Sequence, residues 1–442
     1  MTLSTQPYKG ARDFYPEDKR IQTYMFDVMK NVCEEFGYEA YDAPILEPTD
    51  LFLAKGNQEI VDEQTYTFTD RGNRSVTIRT EMTPSVSRMV AGRRQELAYP
   101  LRWYSIPNVW RYERTQRGRL REFWQLNVDI FGVEDVFAEH EMIVLSDQIL
   151  KRFGAKPAMY RIQLNSRKLT NFMFGEYLGL GETQSQTLIR LIDRMHKMEP
   201  TTFNAQVQAL LTPHQRDSGT LTNLQELLKA KTLKDLPEAA RTHESARDLQ
   251  ILMDMLDESG VTSATFDATL MRGFDYYTDI VFEVSDNNPE NNRSMFGGGR
   301  YDGLVGMFGV EPVPTVGFGM GDVTLQLFLE GHGLLPELHS TTDIYMSFIG
   351  ETSYLKAQHM LRDLRSQGLH IAVDNTGRRI DKQIKAAVKK QIKWLMVVGE
   401  AELSSGRFNI KNLHTGDSEE HGLDRIVSII KDYRRADEPE ED

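Results

Sequence analysis

The sequence predicts an α+β domain built on an antiparallel sheet, interrupted by a helical insertion and followed by a separate α/β domain. Three observations carry this. Residues 60–83 and 108–132 hold paired runs of period-two alternation, the pattern of half-buried hairpins, and 268–304 fits two strands joined by an Asn/Pro-rich turn. From about 167 to 258 helical spacing replaces that alternation. Beyond residue 343 strands and helices take turns, as in a unit with a largely parallel sheet.

The 442 residues give room for two or three domains and a sizeable core. Hydrophobic content of 40% and charged content of 26% are those of a globular protein in water. Apolar runs stay well short of the ~18 residues a membrane span needs, so no membrane association is expected. The opening MTLSTQPYKGARDFYPED lacks an apolar signal core, which points to the cytoplasm. Cys33 is the lone cysteine, excludes an internal disulfide and is expected to be structural. A net charge of −13 means that any nucleic-acid surface is a local basic patch on an acidic body.

Residues 8–20 form a turn entering a helix, with Pro16 suited to the first helical position and Gly37 as the stop. YEAYDAPILEPTDLF then gives a short strand broken by Pro44 and a helix start. In the hairpin of 60–83 the turn falls at Arg71-Gly72-Asn73. Its second arm, read through to Thr83, sets Thr77, Arg79, Glu81 and Thr83 on one face, and a helix follows from Pro84 to Gly92. A carboxylate and a hydroxyl on one face can clamp an ammonium group; a wet strand face is the plainer alternative.

The segment NVWRYERTQRGRLREFWQLNVDIFG (108–132) is the most informative. Arg111 and Glu113 share a face of its first arm; Phe123, Gln125, Asn127 and Asp129 share a face of its second, with Trp124, Leu126, Val128 and Ile130 opposite. A basic loop, Arg114 to Arg121, joins the arms and is too long for a tight hairpin turn. Either the polar face is a solvated one with cross-strand ion pairs, or it is a pocket floor whose arginine grips phosphate.

A helix over 134–153 and the strand MYRIQLN lead into the helical block, where His196, His214 and His243 lack metal-ligand spacing. Residues 268–304 combine Arg272, Asp275, Tyr276 and Tyr277 with Gly297-Gly298-Gly299, whose backbone a ligand could approach closely. PTVGFGMGDVTLQLFL predicts a strand running through a Gly-rich turn into a helix, with Asp322 placed to cap amides at its start. EGHGLLPELHSTT is the expected linker, which sets the domains at 1–330 and 343–433; an acidic tail, 434–442, is expected to be disordered. Over 378–393 seven cations face one acid, a run usually found on a solvated helix face.

RYERTQRGRLREFWQ closely resembles motif 2 of class II aminoacyl-tRNA synthetases, and its spelling resembles the histidyl-tRNA synthetase family. RGFDYY and GGGRYDGL resemble that family's two histidine-specific elements, and the segment at Pro44 resembles motif 1. GRRIDKQIKAA resembles its anticodon-binding domain. The resemblance covers nearly the whole chain. It implies a class II catalytic domain and the joining of histidine to its tRNA at the expense of ATP, with Mg2+ arriving on the nucleotide. In that reading Arg111 and Arg272 are catalytic, and Glu81, Thr83, Gln125, Asp129, Tyr276, Tyr277 and Tyr301 hold histidine. Arg111, Glu113, Arg119, Phe123 and Arg272 hold ATP; Arg114, Gln116 and Arg117 meet the tRNA acceptor end. Arg378, Arg379, Lys382 and Gln383 lie on the anticodon side. The helical insertion reaches toward the acceptor arm, and a homodimer is implied.

Three departures stand out. RTEMT replaces R-P-E-G-T at 79–83; Asp129 replaces a common glutamate. In motif 3, Val323 and Thr324 replace a glutamate and the arginine that stacks on adenine. The last favours an alternative reading, a non-catalytic paralogue: a tRNA sensor or a regulatory subunit of ATP phosphoribosyltransferase. The intact motif 2, RGFDYY and C-terminal domain speak against it.

Overall fold

The computed structural model describes residues 3–53, 64–271, 277–291 and 293–437. They form two compact units, Met1–Leu335 and Pro336–Asp442.

The first helix, Pro16–Glu35, begins as expected with proline in its first turn, and Gly37 ends it at φ +79°. Its buried face carries Met25, Met29, Val32 and Cys33. Burial pushes the Cys33 thiol up to about 12, so it is an inert core residue.

The large sheet of the first unit runs β1 (Glu39–Ala40), β5 (Leu101–Ser105), β7 (Glu122–Phe131), β12 (Thr315–Gly321), β11 (Ser294–Arg300), β10 (Ile280–Asp286), β8 (Tyr160–Ser166) and β9 (Ala264–Phe266). From β5 to β8 every pairing is antiparallel; β1 and β9 add in parallel at the edges. One face rests on the first helix and on Phe137–Arg152, into which β7 sends Leu126, Val128 and Ile130. The expected apolar face of β7 is therefore the core face. Arg300 leaves the end of β11 to make a bidentate pair with buried Glu139, 2.7 Å at each contact, tying sheet to helix.

The segment around Pro44 does not make one interrupted strand. Its first half is β1 of the large sheet, and its second is β2 (Leu46–Pro48), in a small sheet with β3 (Tyr66–Thr69) and β4 (Ser75–Ile78). Strand β4 also stops short of the predicted arm. Arg79 turns inward to Asp42 and the carbonyls of Ala43 and Asn108, and Thr83 is already the first residue of a helix, Thr83–Gly92. The insertion is helical throughout Glu182–Glu258, with short 3-10 turns, and packs its leucines into the same core.

The second unit has sheet order β14 (Ile371–Asp374), β13 (Ile344–Phe348), β15 (Trp394–Val398), β16 (Phe408–Asn412) and β17 (Ser418–His421). Only the first three strands are parallel; β16 and β17 return antiparallel, which corrects the largely parallel expectation. The final helix, Leu423–Asp437, takes in the first residues of the supposed tail. Arg434 pairs with Asp343 there.

Candidate active site

The other face of β7, β12 and β11 is the floor of a cavity. Register sets Gly317 opposite Asp129, Gly319 opposite Asn127 and Gly321 opposite Gln125, with Gly297 against Gly319 on the far side. A Cβ on Gly317 would stand 2.1 Å from Asp129 Oδ1, and one on Gly319 2.1 Å from Gln125 Nε2. Both polar side chains therefore lie across β12, in space that only glycine leaves open. The glycines expected to form a turn are strand residues, and the strand enters the helix Asp322–Gly331 directly. Of the Gly297–Gly299 run, Gly297 lines the cavity; a Cβ on Gly298 would meet the Gly317 carbonyl at 2.1 Å, so its smallness serves the strand pairing.

Glu81 comes from the turn between β4 and the next helix, Thr83 from the first position of that helix, and Arg111 from the residue after β6 (Asn108–Trp110). Tyr277 and Tyr301 come from the loops flanking β10 and β11. These join Gln125 and Asp129 in one cavity. Arg272 and Tyr276 lie outside the described residues. Tyr301 donates to Asp129 Oδ1, while Asp129 Oδ2 and Gln125 Oε1 are buried without partners. Burial pushes the Asp129 carboxyl up to about 7, against the pull of neighbouring tyrosine hydroxyls. Asn127, expected on this face but given no role, lines the cavity too, as do Phe318, Gly317 and Gly319; the signal for the two glycines was glycine at every second strand position.

Arg111 donates through Nε to the Thr80 carbonyl at 3.0 Å, and its guanidinium lies 5.5 Å from the Phe123 ring centre. An arginine fixed by backbone beside an aromatic face suits a nucleotide, with phosphate at one end and base at the other. The basic loop closes more tightly than expected: Gln116 and Arg119 pair across Arg117-Gly118, with Gly118 at φ +79°. Arg114, Gln116 and Arg117 are exposed, and Arg119 reaches Glu113 at 3.4 Å. A Cβ on Gly118 would come within 3.6 Å of Leu327 and 3.8 Å of Thr324.

An N-terminal strap holds this loop from outside. The Gly10 carbonyl accepts from the amides of Arg121 and Glu122, at 2.8 and 3.1 Å. Arg12 pairs with buried Asp322 at 2.6 Å. Asp322 is the first helical residue and accepts the Trp124 amide at 2.9 Å, so it joins helix to hairpin as well as standing at the helix entrance. Thr324 donates to the Met295 carbonyl at 2.8 Å.

In the second unit Arg378 pairs with Asp374 at 3.0 Å, while Arg379 and Lys382 are exposed. Gln383 is buried and donates to the Arg378 carbonyl at 2.6 Å, so it shapes the loop from inside and offers no exposed contact. Lys393 lies over Tyr433 at 3.0 Å, and Lys390 lies 5.5 Å from the Tyr345 ring centre. Part of the basic run is thus spent within the unit.

A wider cleft of about 630 Å³ lies elsewhere on the first unit, among Lys168, Asp248, Asp279, Arg300 and Asp302. Its cations are matched, Lys168 to Asp279 at 2.7 Å and Arg300 to Glu139, and among the described residues none expected to bind substrate lines it.

Residues 10–323 match the family model described as histidyl-tRNA synthetase, and 344–433 match one described as anticodon binding domain. The chain belongs to the histidyl-tRNA synthetase family. Among curated relatives, a histidine–tRNA ligase of Leptospira biflexa is 38% identical over 433 residues, covering 97% of this chain and 98% of the relative. One from Thermoplasma volcanium is 34% identical over 429 residues, covering 97% and 99%. The crystal structure of apo histidyl-tRNA synthetase from S. aureus superposes with a TM-score of 0.72 at 26% identity, covering 97% of this chain and all of that one. The Nostoc sp. PCC 7120 family member shares the fold at a TM-score of 0.82 and 23% identity, with 98% and 100% covered. The family's synthetase domain thus spans the large sheet and its insertion, and its anticodon-binding domain spans β13 to the final helix. Among the described residues no helix is long and apolar enough to cross a membrane, and none of their His, Cys, Asp and Glu side chains gather in threes suited to a metal ion.

Proposed function

We propose that this chain is a histidine–tRNA ligase. It joins histidine to ATP, bound with Mg2+, to give histidyl-adenylate and pyrophosphate, then passes the histidyl group to the 3′ end of histidine tRNA. One observation carries the reading: Glu81, Thr83, Gln125, Asp129, Tyr277 and Tyr301 meet in a single cavity with Arg111.

Glu81 and Thr83 hold the α-ammonium group, while Gln125, Asp129, Tyr301, Tyr277 and Tyr276 surround the imidazole. The carboxylate is left facing Arg111, where the α-phosphate of ATP lies with its adenine toward Phe123. Attack of a carboxylate oxygen on the α-phosphorus concentrates negative charge that Arg111 and Arg272 offset from two sides, and pyrophosphate leaves. Glu113 and Arg119 flank the nucleotide. In the second step the terminal ribose hydroxyl attacks the activated carbonyl and AMP leaves. Neither step needs a protein nucleophile, so rate comes from positioning and fixed charge. The loop residues Arg114, Gln116 and Arg117 meet the acceptor end, and Arg378, Arg379 and Lys382 the anticodon side. Gln383 supports that surface from within. The protein works in the cytoplasm as a homodimer.

The experiment is histidine-dependent ATP–pyrophosphate exchange by the purified protein, followed by charging of histidine tRNA. Exchange with histidine alone among the amino acids is expected. A protein that binds histidine but shows no exchange belongs to the regulatory-paralogue reading, which Val323 and Thr324 favour.

A further inference from the structure

Behind Asp129 lies a buried polar group that the site residues leave unexplained. Asp129 Oδ2, the Tyr41 hydroxyl and the Ser105 hydroxyl are all buried and have no hydrogen-bond partner. Register brings them together. Strand β1 runs parallel to β5, with Glu39 opposite Trp103 and Ala40 opposite Tyr104, and the Tyr41 amide continues the ladder to the Tyr104 carbonyl at 2.9 Å. On the other edge of β5, Trp103 is opposite Asp129 and Ser105 opposite Asn127. Alternation therefore gives Tyr41, Ser105 and Asp129 the same face of the sheet, the cavity face. The Tyr41 hydroxyl lies against both Ser105 and Asp129 without closing a hydrogen bond of normal geometry to either. Buried polar atoms are rarely left unpaired, and a hydroxyl beside a carboxylate oxygen is a donor for it.

We propose that Tyr41, backed by Ser105, is a positioning residue for the substrate side chain: its hydroxyl donates to Asp129 Oδ2 and holds the carboxylate in place for the ligand. Tyr301 holds the other oxygen, so the carboxylate faces the cavity as an anion with lone pairs left for an imidazole N–H. The proposal rests on the reading of this cavity as the histidine site. An aspartate is a methylene shorter than a glutamate and reaches less far toward its ligand, so a partner that fixes its orientation matters more. The groups facing Asp129 are the hydroxyls of Tyr41 and Tyr301 and, around the cavity, Glu81, Arg111 and Tyr277. Each hydroxyl donated to the carboxylate favours its charged form against the burial that opposes it.

The test is Tyr41→Phe, which keeps the ring against Trp103, 5.8 Å away between centres. Histidine-dependent exchange is followed from pH 6 to 9 with ATP saturating. The expected result is a rise of about fivefold in KM for histidine at pH 7, little change in kcat or in KM for ATP, and recovery toward the unmodified protein at pH 9. The acid limb of kcat/KM moves up by about one pH unit. Ser105→Ala is expected to shift it the same way by less. A Tyr41→Phe profile that superimposes on that of the unmodified protein, or a loss of equal size at every pH, would overturn the proposal. Calorimetric titration of histidine at pH 7 and 9 separates this from the ligase reading. If exchange is absent but the pH-dependent loss of histidine affinity is present, the proposal stands and the ligase reading falls; if neither protein binds histidine, both fall.

Discussion

Gly317→Ala places a single methyl group where the histidine-site reading is most sensitive. The new Cβ would stand 2.1 Å from Asp129 Oδ1 and 3.1 Å from its carboxyl carbon, with the Val128 carbonyl at 2.8 Å. The carboxylate can swing away, but the Val128 carbonyl belongs to a paired strand and yields little. Two costs follow. Overpacking a well-ordered sheet destabilises it by about 1–3 kcal/mol. Displacing the carboxylate breaks its bond from Tyr301 and removes the acceptor for the imidazole, a charge-assisted contact of about 1.5–3 kcal/mol, or roughly 10- to 150-fold in KM for histidine. Exchange kinetics with histidine varied, beside a thermal melt, read both. Gly319→Ala is expected to be milder, because its nearest neighbour is the amide end of Gln125, which can rotate aside. Gly175→Ala, with open space around it, serves as the control. A Gly317→Ala protein that melts lower yet keeps its histidine KM within twofold would refute the assignment of Asp129 to the substrate.

Three further outcomes are expected. Arg272→Ala should cost on the order of 10²–10³ in exchange rate through loss of one fixed charge, while calorimetric histidine binding weakens much less; near-normal exchange would remove Arg272 from the chemistry. A chain ending at Leu335, shown by circular dichroism to be folded, should keep pyrophosphate exchange and lose most tRNA charging; joint loss of both activities would argue against separable units. Asp129→Asn should stabilise the protein, but only at higher pH. Because burial holds the folded carboxyl near 7, above the ordinary range near 4, the folded state keeps a proton that the unfolded chain releases between them. Stability conferred by Asp129 is full below about 4 and lost as pH rises through 7. The variant's melting advantage should therefore grow from pH 4 to pH 8; a constant difference would place the carboxyl's titration elsewhere.

Much of the fold was legible because its long elements bury one face with a clean period. Strand β7 shows this best, with Leu126, Val128 and Ile130 in the core and Gln125, Asn127 and Asp129 opposite. What escaped were places where tertiary contacts override local signals. Three glycines at alternate positions of β12 have the composition of a turn and the job of a strand, because the side chains that use their space come from β7. Thr83 continued an alternation on paper, yet Pro84 makes it the start of a helix. Gln383 stands in a run of cations, but its helix turns that position inward. Tyr41 was invisible as a site residue because its role depends on which strand lies beside β1, and alternation along one segment says nothing about its neighbour.

The N-terminal strap has a consequence for how the protein is made. Arg12 and Asp322 are 310 residues apart in the chain. At about 5–20 residues per second the ribosome takes on the order of 15–60 s between them. Gly10 finds its partners Arg121 and Glu122 much sooner, so the strap closes in two stages, first on the hairpin and then on the helix behind β12. In the interval β7 has been synthesised with one edge waiting for β12, an open row of backbone donors and acceptors on an unfinished sheet. Arg12 thus waits far longer for its partner than Gly10 does for its own. A slowing of translation within the helical insertion would lengthen that exposure, and aggregation of the nascent chain would be its first sign.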